Sequence, residues 1–277
     1  MGLRVATNIA SVNAQRQLAG TSMKVQDSMA QLSSGSRINK AADDAAGLAI
    51  SETLKAGIRS IRQATRNAND GVSLVQTAEG GLNEVGNIIT RLRELGIQGS
   101  SDTVGENERG FINKEVGQLK DEMKRISSTT SWGKQKLLDG TSQNFDFQVG
   151  VNNNQFEDRI SFKSSENVAT PDALGLSDLD YSTKEGAQSA LDKLDKGQVA
   201  VNGIRASLGA LQNRLVSTIN NQGVQEENMT AANSRIRDTD VASATAEMTR
   251  NNILLQAGTS VLAQANTKDQ IALKLIG

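Results

Sequence analysis

Two adjacent carboxylates, Asp43 and Asp44, come nearest in this chain to a pair that could do chemistry. Paired carboxylates can bind a metal ion or serve as general acid and base. These two, however, stand directly before a long helical pattern. There, a side-chain oxygen accepts a hydrogen bond from a free backbone amide, and negative charge interacts favourably with the helix dipole. We therefore predict that they begin a helix and that the chain has no metal site.

Other chemical groups are scarce. The chain has no cysteine and no histidine, which excludes disulfides, thiol nucleophiles and the commonest general base. It also has no P-loop, no G-x-G-x-x-G run and no nucleophile elbow. Asn228-Met229-Thr230 has the form of a glycosylation acceptor, but so short a pattern arises often by chance. We predict no catalytic residue and no cofactor, so the chain is not expected to be an enzyme.

The charge balance argues against two classes of partner. Thirty basic residues face 31 acidic ones, and the isoelectric point is near 5.7. Neither nucleic acid nor an anionic membrane is therefore an expected partner. The first 15 residues lack the apolar stretch of a secretory signal, and the long uncharged run near the other end is broken by Asn and Gln. We expect no membrane span.

The elements that must position any site are helices with a seven-residue repeat. One apolar column consists of Leu54, Ile61, Ala68, Val75, Leu82 and Ile89, and another of Leu194, Val201, Leu208 and Leu215. Such columns are typical of two long helices that bury one stripe against each other. Pro171 is the only proline, so the rest of the chain can form uninterrupted helices.

The remaining segments complete a mainly α fold. Helical spacing predicts a first helix from Leu3 to about Leu32, the long helix to about Gln98, a third helix through Ile126 and the returning helix from Thr183. Alternating residues predict a β-hairpin at about 145–163. The predicted fold class is an elongated antiparallel helical bundle, or coiled-coil rod, with a small β-hairpin and helical ends.

Both ends of the chain carry weak helical stripes. Between Val241 and Thr267 only Glu247 and Arg250 are charged, and Asn, Gln, Ser, Thr and Ala dominate. Isolated helices of this kind are marginal and tend to order on binding. We predict that the ends become structured against neighbouring copies or another partner.

Several stretches resemble bacterial flagellin. Near the start these are residues 6–9, 31–39 and 42–50; within the long helix, 68–71 and 91–95; near the end, 237–242 and 256–266. The resemblance covers nearly the whole chain. It implies an extracellular filament subunit, with residues 1–43 and 239–277 as an inner domain of paired terminal helices and 44–238 as a helical rod without large outer domains.

The resemblance also implies partners. These are other copies of the chain in a helical filament, junction and cap proteins, the flagellar type III export apparatus, and an export chaperone at Leu254, Leu255 and Leu262. Export by that route would need no cleavable signal peptide.

The same resemblance suggests site residues. The expected polymerisation contacts are the terminal columns Leu18, Val25, Leu32, Val241, Met248, Leu255 and Leu262. Arg91, Leu95 and Glu115 align with the surface that Toll-like receptor 5 recognises in related proteins. Two other hypotheses remain: a hook–filament junction protein, which resembles flagellin at its ends, and a coiled-coil scaffold that forms closed oligomers.

Overall fold

A computed structural model describes residues 8–274 of the chain, and their side chains up to residue 267. The helices are α1 (Ile9–Ser34), α2 (Ala45–Gly99), α3 (Glu106–Thr129), α4 (Lys184–Arg237) and α5 (Val241–Lys274). The strands are β1 (Ser131–Trp132), β2 (Gln135–Lys136), β3 (Phe145–Gln148) and β4 (Arg159–Phe162), and a short 3-10 helix spans Ser164–Glu166. The predicted mainly helical fold with a small hairpin is confirmed. The first residues of the predicted first helix lie outside the described residues.

The helices begin at side chains that satisfy free backbone amides. Asn8 accepts a hydrogen bond from the amide of Ser11, and Asp44 accepts one from the amide of Gly47. The Thr183 hydroxyl does the same for Gly186, and Asp240 for Ala242. These groups satisfy donors that have no partner within the helix. The local sequence therefore fixes where four of the five helices start.

The chain divides into two compact units. The central unit is Arg59–Glu226, and the terminal unit consists of the residues up to Ile58 together with those from Glu227. Both α2 and α4 continue from one unit into the other. The division at 43/44 and 238/239 that the resemblance implies lies between helices and stays a prediction. The compact units divide within the two long helices.

The core of the central unit follows the predicted columns. Ile61, Ala68, Val75, Leu82 and Ile89 of α2 are buried, as are Leu194, Val201, Leu208 and Leu215 of α4. The two helices are antiparallel, since Arg62 pairs with Glu226 near one end and Arg93 with Asp195 near the other. A full burial of one large aliphatic side chain contributes about 1.5–3 kcal/mol, so this seam dominates the stability of the unit.

A second column on α2 is also buried. Leu74, Ile88 and Leu95 lie one residue before the positions of the first column, and all three belong to the same core. Gly81 completes the spacing, and a Cβ added there would lie 2.6 Å from the hydroxyl of Thr130 and 2.8 Å from Leu138. The segment after α3 therefore packs against this glycine. Thus α2 is covered on two sides in the central unit.

The predicted hairpin is present. β3 and β4 are antiparallel, with Phe145 opposite Phe162 and Gln148 opposite Arg159. Its inner side packs on the helices, because Phe147 lies 3.1 Å from where a Cβ of Gly71 would stand. Asn67 donates to the carbonyl of Gln148, and Gln222 donates to that of Val149. A further two-residue pairing, β1 with β2, was not predicted, because strands this short show no alternation.

The irregular stretch before α4 is held by polar contacts, one of them fully buried. The hydroxyl of Tyr181, which is fully buried, donates to the carbonyl of Leu92 at 2.9 Å. Asn113 accepts from the amide of Tyr181, and Lys120 donates to the carbonyls of Ser177 and Leu179. These contacts replace the backbone pairing that a helix or sheet would supply.

Candidate interaction surfaces

The carboxylates Asp43 and Asp44 are used by the backbone. Asp43 accepts hydrogen bonds from the amides of Asn39 and Lys40, both at 2.9 Å, and Asp44 caps α2. The hydrogen bonds from Lys40 and Asn39 lower the pKa of Asp43 below its ordinary value. Residues 8–267 contain no cluster of three or more acidic side chains that could hold a metal ion. Asp44 therefore begins a helix, as the sequence predicted, whereas Asp43 holds the turn before that helix.

The terminal unit is built on α1 and α5, which we call the terminal pair. They run antiparallel, since the side-chain amide of Asn8 donates to the carbonyl of Ala265 while Ser36 is bridged to Asp238. A Cβ added at Gly258 would lie 2.9 Å from the Leu18 side chain. The two helices therefore meet along a seam and approach closely at this glycine.

The least exposed positions of each helix alternate three and four residues apart. On α1 they include Ser11, Ala14, Leu18, Val25, Ser28 and Leu32; on α5 they include Ala244, Met248, Asn251, Leu255, Gly258, Leu262 and Ala265. This spacing is the signature of a coiled-coil seam. Its members are mixed, since serine, asparagine and glycine share it with leucine. The large ones are only half-buried, because each helix is covered on one side by the other.

Six of the seven predicted polymerisation contacts lie on this seam. Leu18, Val25 and Leu32 stand on α1, and Met248, Leu255 and Leu262 on α5. Within a single chain these six side chains pack between the two helices. Val241 does not belong to the seam, and 61% of it is exposed. The seven residues are therefore not one surface, a distinction that seven-residue spacing alone could not make.

A second apolar set lies on the outer faces of the pair, and of its members the sequence columns included only Val241. Its exposed members are Ile9, Val12, Met23 and Met29 on α1, and Val241, Ile253, Leu254 and Val261 on α5. On α5 an open groove is lined by Val241, Thr245, Thr249 and Ile253, which follow one another at helical spacing. Contiguous exposed apolar surface of this kind marks a protein contact site.

Few charges accompany this surface. Among residues 8–267, no ion pair joins α1 to α5, whereas Arg62–Glu226 and Arg93–Asp195 join α2 to α4 in the central unit. At the end of α4, the carbonyl of Ile236 accepts a hydrogen bond from the guanidinium of Arg37, which lies between α1 and α2. Arg237, the last residue of α4, pairs with Glu52 of α2. Polar contacts therefore hold the end of α4, whereas the exposed charges on α1 and α5 form no ion pair between those two helices within residues 8–267. These charges are Arg16, Lys24, Asp27, Glu247 and Arg250.

The candidate receptor surface contains two exposed residues and one core residue. Arg91 bonds Glu94 at 2.9 Å and reaches across to Glu115 on α3, also at 2.9 Å. The hydrogen bonds to Glu94 and Glu115 raise the pKa of Arg91 above its ordinary value. Leu95, in contrast, is only 2% exposed and belongs to the second buried column of α2. The structure therefore corrects the grouping of these three residues as one surface.

No helix among the described residues is long and apolar enough to cross a membrane.

Comparison with known proteins gives a consistent result. Residues 5–143 match the family model of the bacterial flagellin N-terminal helical region, and residues 191–276 match that of the C-terminal helical region. A flagellin of Halalkalibacterium halodurans is 45% identical over 97% of this chain and 98% of its own length. The flagellin of Bacillus subtilis is 41% identical over 99% of this chain and all of its own.

A third relative, the flagellar filament 33 kDa core protein of Treponema phagedenis, is 39% identical over 97% of this chain and 98% of its own. Among solved structures, Bacillus cereus flagellin aligns with a TM-score of 0.51 and 28% identity over 61% of this chain and 94% of its own. A putative flagellar hook-associated protein of Vibrio parahaemolyticus aligns with a TM-score of 0.57, covering 71% of this chain and all of its own. At 14% identity that last likeness shows a shared fold alone.

Proposed function

The chain belongs to the bacterial flagellin family and is a structural subunit of the flagellar filament outside the cell, and we propose that its copies meet through the outer faces of the terminal pair. The observation that carries this proposal is the exposed apolar set on those faces, with Ile253 and Val261 as examples on α5. Seam residues such as Leu18 and Leu255 then pair the two helices within each subunit. The subunit needs no chemistry for this role.

The free energy of burying apolar side chains favours this division between a seam inside the subunit and outer faces between subunits. An exposed valine, leucine or isoleucine that becomes fully buried contributes about 1.5–3 kcal/mol. Eight large apolar side chains are available on the outer faces, and each subunit of a polymer meets several neighbours. A heterologous contact whose rotation does not close builds a helical filament. Within residues 8–267, α1 and α5 expose three basic and two acidic side chains, so their charges nearly balance and identical copies can approach without strong repulsion.

The proposal is tested by seeded assembly. We expect Ile253→Asp to abolish elongation of filament seeds, because a carboxylate would be buried without a partner. Ile253→Val is the matched control and keeps the apolar contact, so it is expected to elongate near the rate of the unmodified chain. Electron microscopy and sedimentation of the polymer measure the difference.

A chain lacking residues 1–40 and 240–277 is expected to remain unpolymerised with the same seeds. Normal elongation by Ile253→Asp would contradict the assignment of the outer faces. If the full chain instead forms small closed oligomers in the presence of active seeds, the junction-protein or scaffold hypothesis replaces filament assembly through the ends.

The proposed export chaperone would bind one of the same helices. We propose that an export chaperone contacts α5 and separates it from α1, since Leu255 and Leu262 lie on the seam while Leu254 is already 51% exposed. Chaperone binding and pairing with α1 would then exclude each other, which prevents early assembly. A pull-down with Leu254→Ala and Leu255→Ala tests this: if only Leu254→Ala weakens binding, the chaperone uses the outer face without opening the pair.

Recognition by Toll-like receptor 5 remains a proposal for the surface around Arg91 and Glu115. Because Leu95 is buried, we expect Leu95→Ala to act through the stability of the subunit, whereas Arg91→Ala acts on recognition directly. A receptor reporter assay on dissociated, natively folded subunits distinguishes the two. The absence of any response to the unmodified chain would remove this proposal.

A further inference from the structure

The hairpin of the central unit ends in a loop that presents one aromatic ring to solvent. Phe156 is 92% exposed, the most exposed of the large apolar side chains in residues 8–267. The whole chain has five phenylalanines, one tryptophan and one tyrosine, so aromatic rings are rare. A single exposed ring needs no functional explanation when it stands on a flexible loop. In this loop, however, the backbone is closely bonded.

A buried carboxylate organises the loop. Asp158 is only 6% exposed, and its side chain accepts hydrogen bonds from the amides of Asn152 and Asn154. Its own carbonyl accepts from Val149 at 2.8 Å and from Gly150 at 3.0 Å. A Cβ at Gly150 would stand 1.8 Å from the Asp158 carboxylate, so only glycine fits there. The loop backbone is thus wrapped around one side chain.

Further contacts fix the residues beside Phe156. The amide of Phe156 donates to the side chain of Asn154 at 3.1 Å. Arg159 donates to the side chains of Asn153 and Gln148, and Gln148 donates in turn to the carbonyls of Gly150 and Asn152. The ring is therefore held out by a preorganised loop. Preorganisation lowers the entropy lost when a contact forms.

We infer that Phe156 is an anchor residue that inserts into the surface of a second copy of this chain, as one contact of the filament. This inference rests on the proposed function and adds a contact in the central unit to those of the terminal pair. Aromatic residues are enriched among the few side chains that dominate an interface. Here Val151, also exposed, and Asn152 to Gln155 precede the ring without a charge, and the oppositely charged Glu157 and Arg159 follow it.

The size of the patch argues for a copy of this chain. Burying one aromatic side chain removes about 150–250 Å² of its surface from water. A stable complex of two separate proteins needs about 1,200 Å² or more in total. The loop alone is therefore too small to hold a separate partner, but it suffices as one of several contacts that act together in a polymer.

The test compares Phe156→Ala with Gln155→Ala, an exposed polar change in the same loop. We expect Phe156→Ala to raise the critical concentration for seeded assembly about tenfold, a typical effect for an interface anchor. Gln155→Ala is expected to leave it unchanged. Thermal unfolding by circular dichroism should be the same for both variants and the unmodified chain, because neither side chain is buried.

A second measurement identifies the partner. Replacing Phe156 by the photoreactive residue p-benzoylphenylalanine should give cross-linked dimers in illuminated filaments and none in dissociated subunits. If the unmodified chain assembles but Phe156→Ala assembles equally well, or intact filaments give no cross-link, the inference is wrong and the proposed function stands. If the unmodified chain does not elongate seeds at all, the proposed function itself fails.

Discussion

The central unit and the terminal pair use the same seven-residue repeat with opposite results. In the central unit, seam residues such as Leu82 and Leu208 are almost completely buried, because α2 is covered by α4 on one side and by the segment after α3 on another. In the terminal pair, Leu18 and Leu255 are only half-buried, because each helix has a single neighbour. A seven-residue repeat therefore specifies which face of a helix is apolar. The number of elements that cover this face decides how much its burial stabilises the unit.

The polar contacts are also more extensive in the central unit than in the terminal pair. The central unit joins its two long helices by ion pairs and holds its loops through buried amides and one hydroxyl. Serine, asparagine and glycine occupy many seam positions of the terminal pair, and no ion pair joins its helices within residues 8–267. We therefore expect the central unit to be the more stable region, and the outer faces of the terminal pair remain the proposed contact surface for other copies.

Truncating one core leucine should have the largest effect on stability. We expect Leu82→Ala to lower the free energy of unfolding by about 2–5 kcal/mol, the usual cost of a cavity in a closed core. Leu255→Ala in the terminal pair should cost less, about 1–2 kcal/mol, since that side chain is only partly buried. Urea unfolding followed by circular dichroism measures both, and equal losses would contradict the comparison.

Two glycines of α2 should respond to alanine with opposite sign. Gly81→Ala should destabilise by about 1–3 kcal/mol, because the new methyl group would overlap Thr130 and Leu138 in a closed core. Gly86→Ala meets nothing within 4 Å and should stabilise by about 0.5–1 kcal/mol through better helix propensity. The melting temperatures of the two variants, each compared with that of the unmodified chain, test both expectations. Destabilisation by both would mean that α2 tolerates no side chain at either position.

The single tyrosine predicts an alkaline limit for the central unit. Burial raises the pKa of Tyr181 to about 12, above its ordinary value of 10.0. The folded state therefore keeps the hydroxyl proton where the unfolded state has lost it. Stability is fully present below about pH 10 and falls as the pH rises towards 12.

Ultraviolet absorbance of Tyr181 during alkaline titration, beside melting curves at each pH, checks this expectation. Tyr181→Phe should cost about 1 kcal/mol at neutral pH through its lost hydrogen bond to Leu92 and should reduce the alkaline loss. If the absorbance of the folded chain changes at pH 10, the hydroxyl is not buried as described.

The ion pairs between the long helices should have the smallest effect. Arg93→Gln should cost about 0.2–1 kcal/mol, because about half of each partner of the Arg93–Asp195 pair meets solvent. A double-mutant cycle with Asp195→Asn isolates the interaction, which 0.5 M salt should weaken. A coupling energy of several kcal/mol would mean that these ion pairs, and not the apolar seam, account for the difference in stability between the central unit and the terminal pair.

Much of the fold could be read from local patterns. The helices, the hairpin and the role of Asp44 as a cap depend on periodicity, turn residues and neighbouring amides, which are all close in sequence. The burial of Leu95 was missed because its column, Leu74, Gly81, Ile88 and Leu95, is interrupted by a glycine. The seven-spaced partners Leu74 and Ile88 were the available signal.

The sequence by itself determined the family, the helical repeats and the stripes that could be buried, because spacing along a helix fixes which side chains share a face. Only the tertiary structure decided what covers each face. It placed Leu18, Met248 and Leu255 between α1 and α5, left Ile253 and Val261 outside, and held Phe156 in solvent on a loop built around Asp158. Burial depends on neighbours that are distant in sequence, and a repeat does not name them.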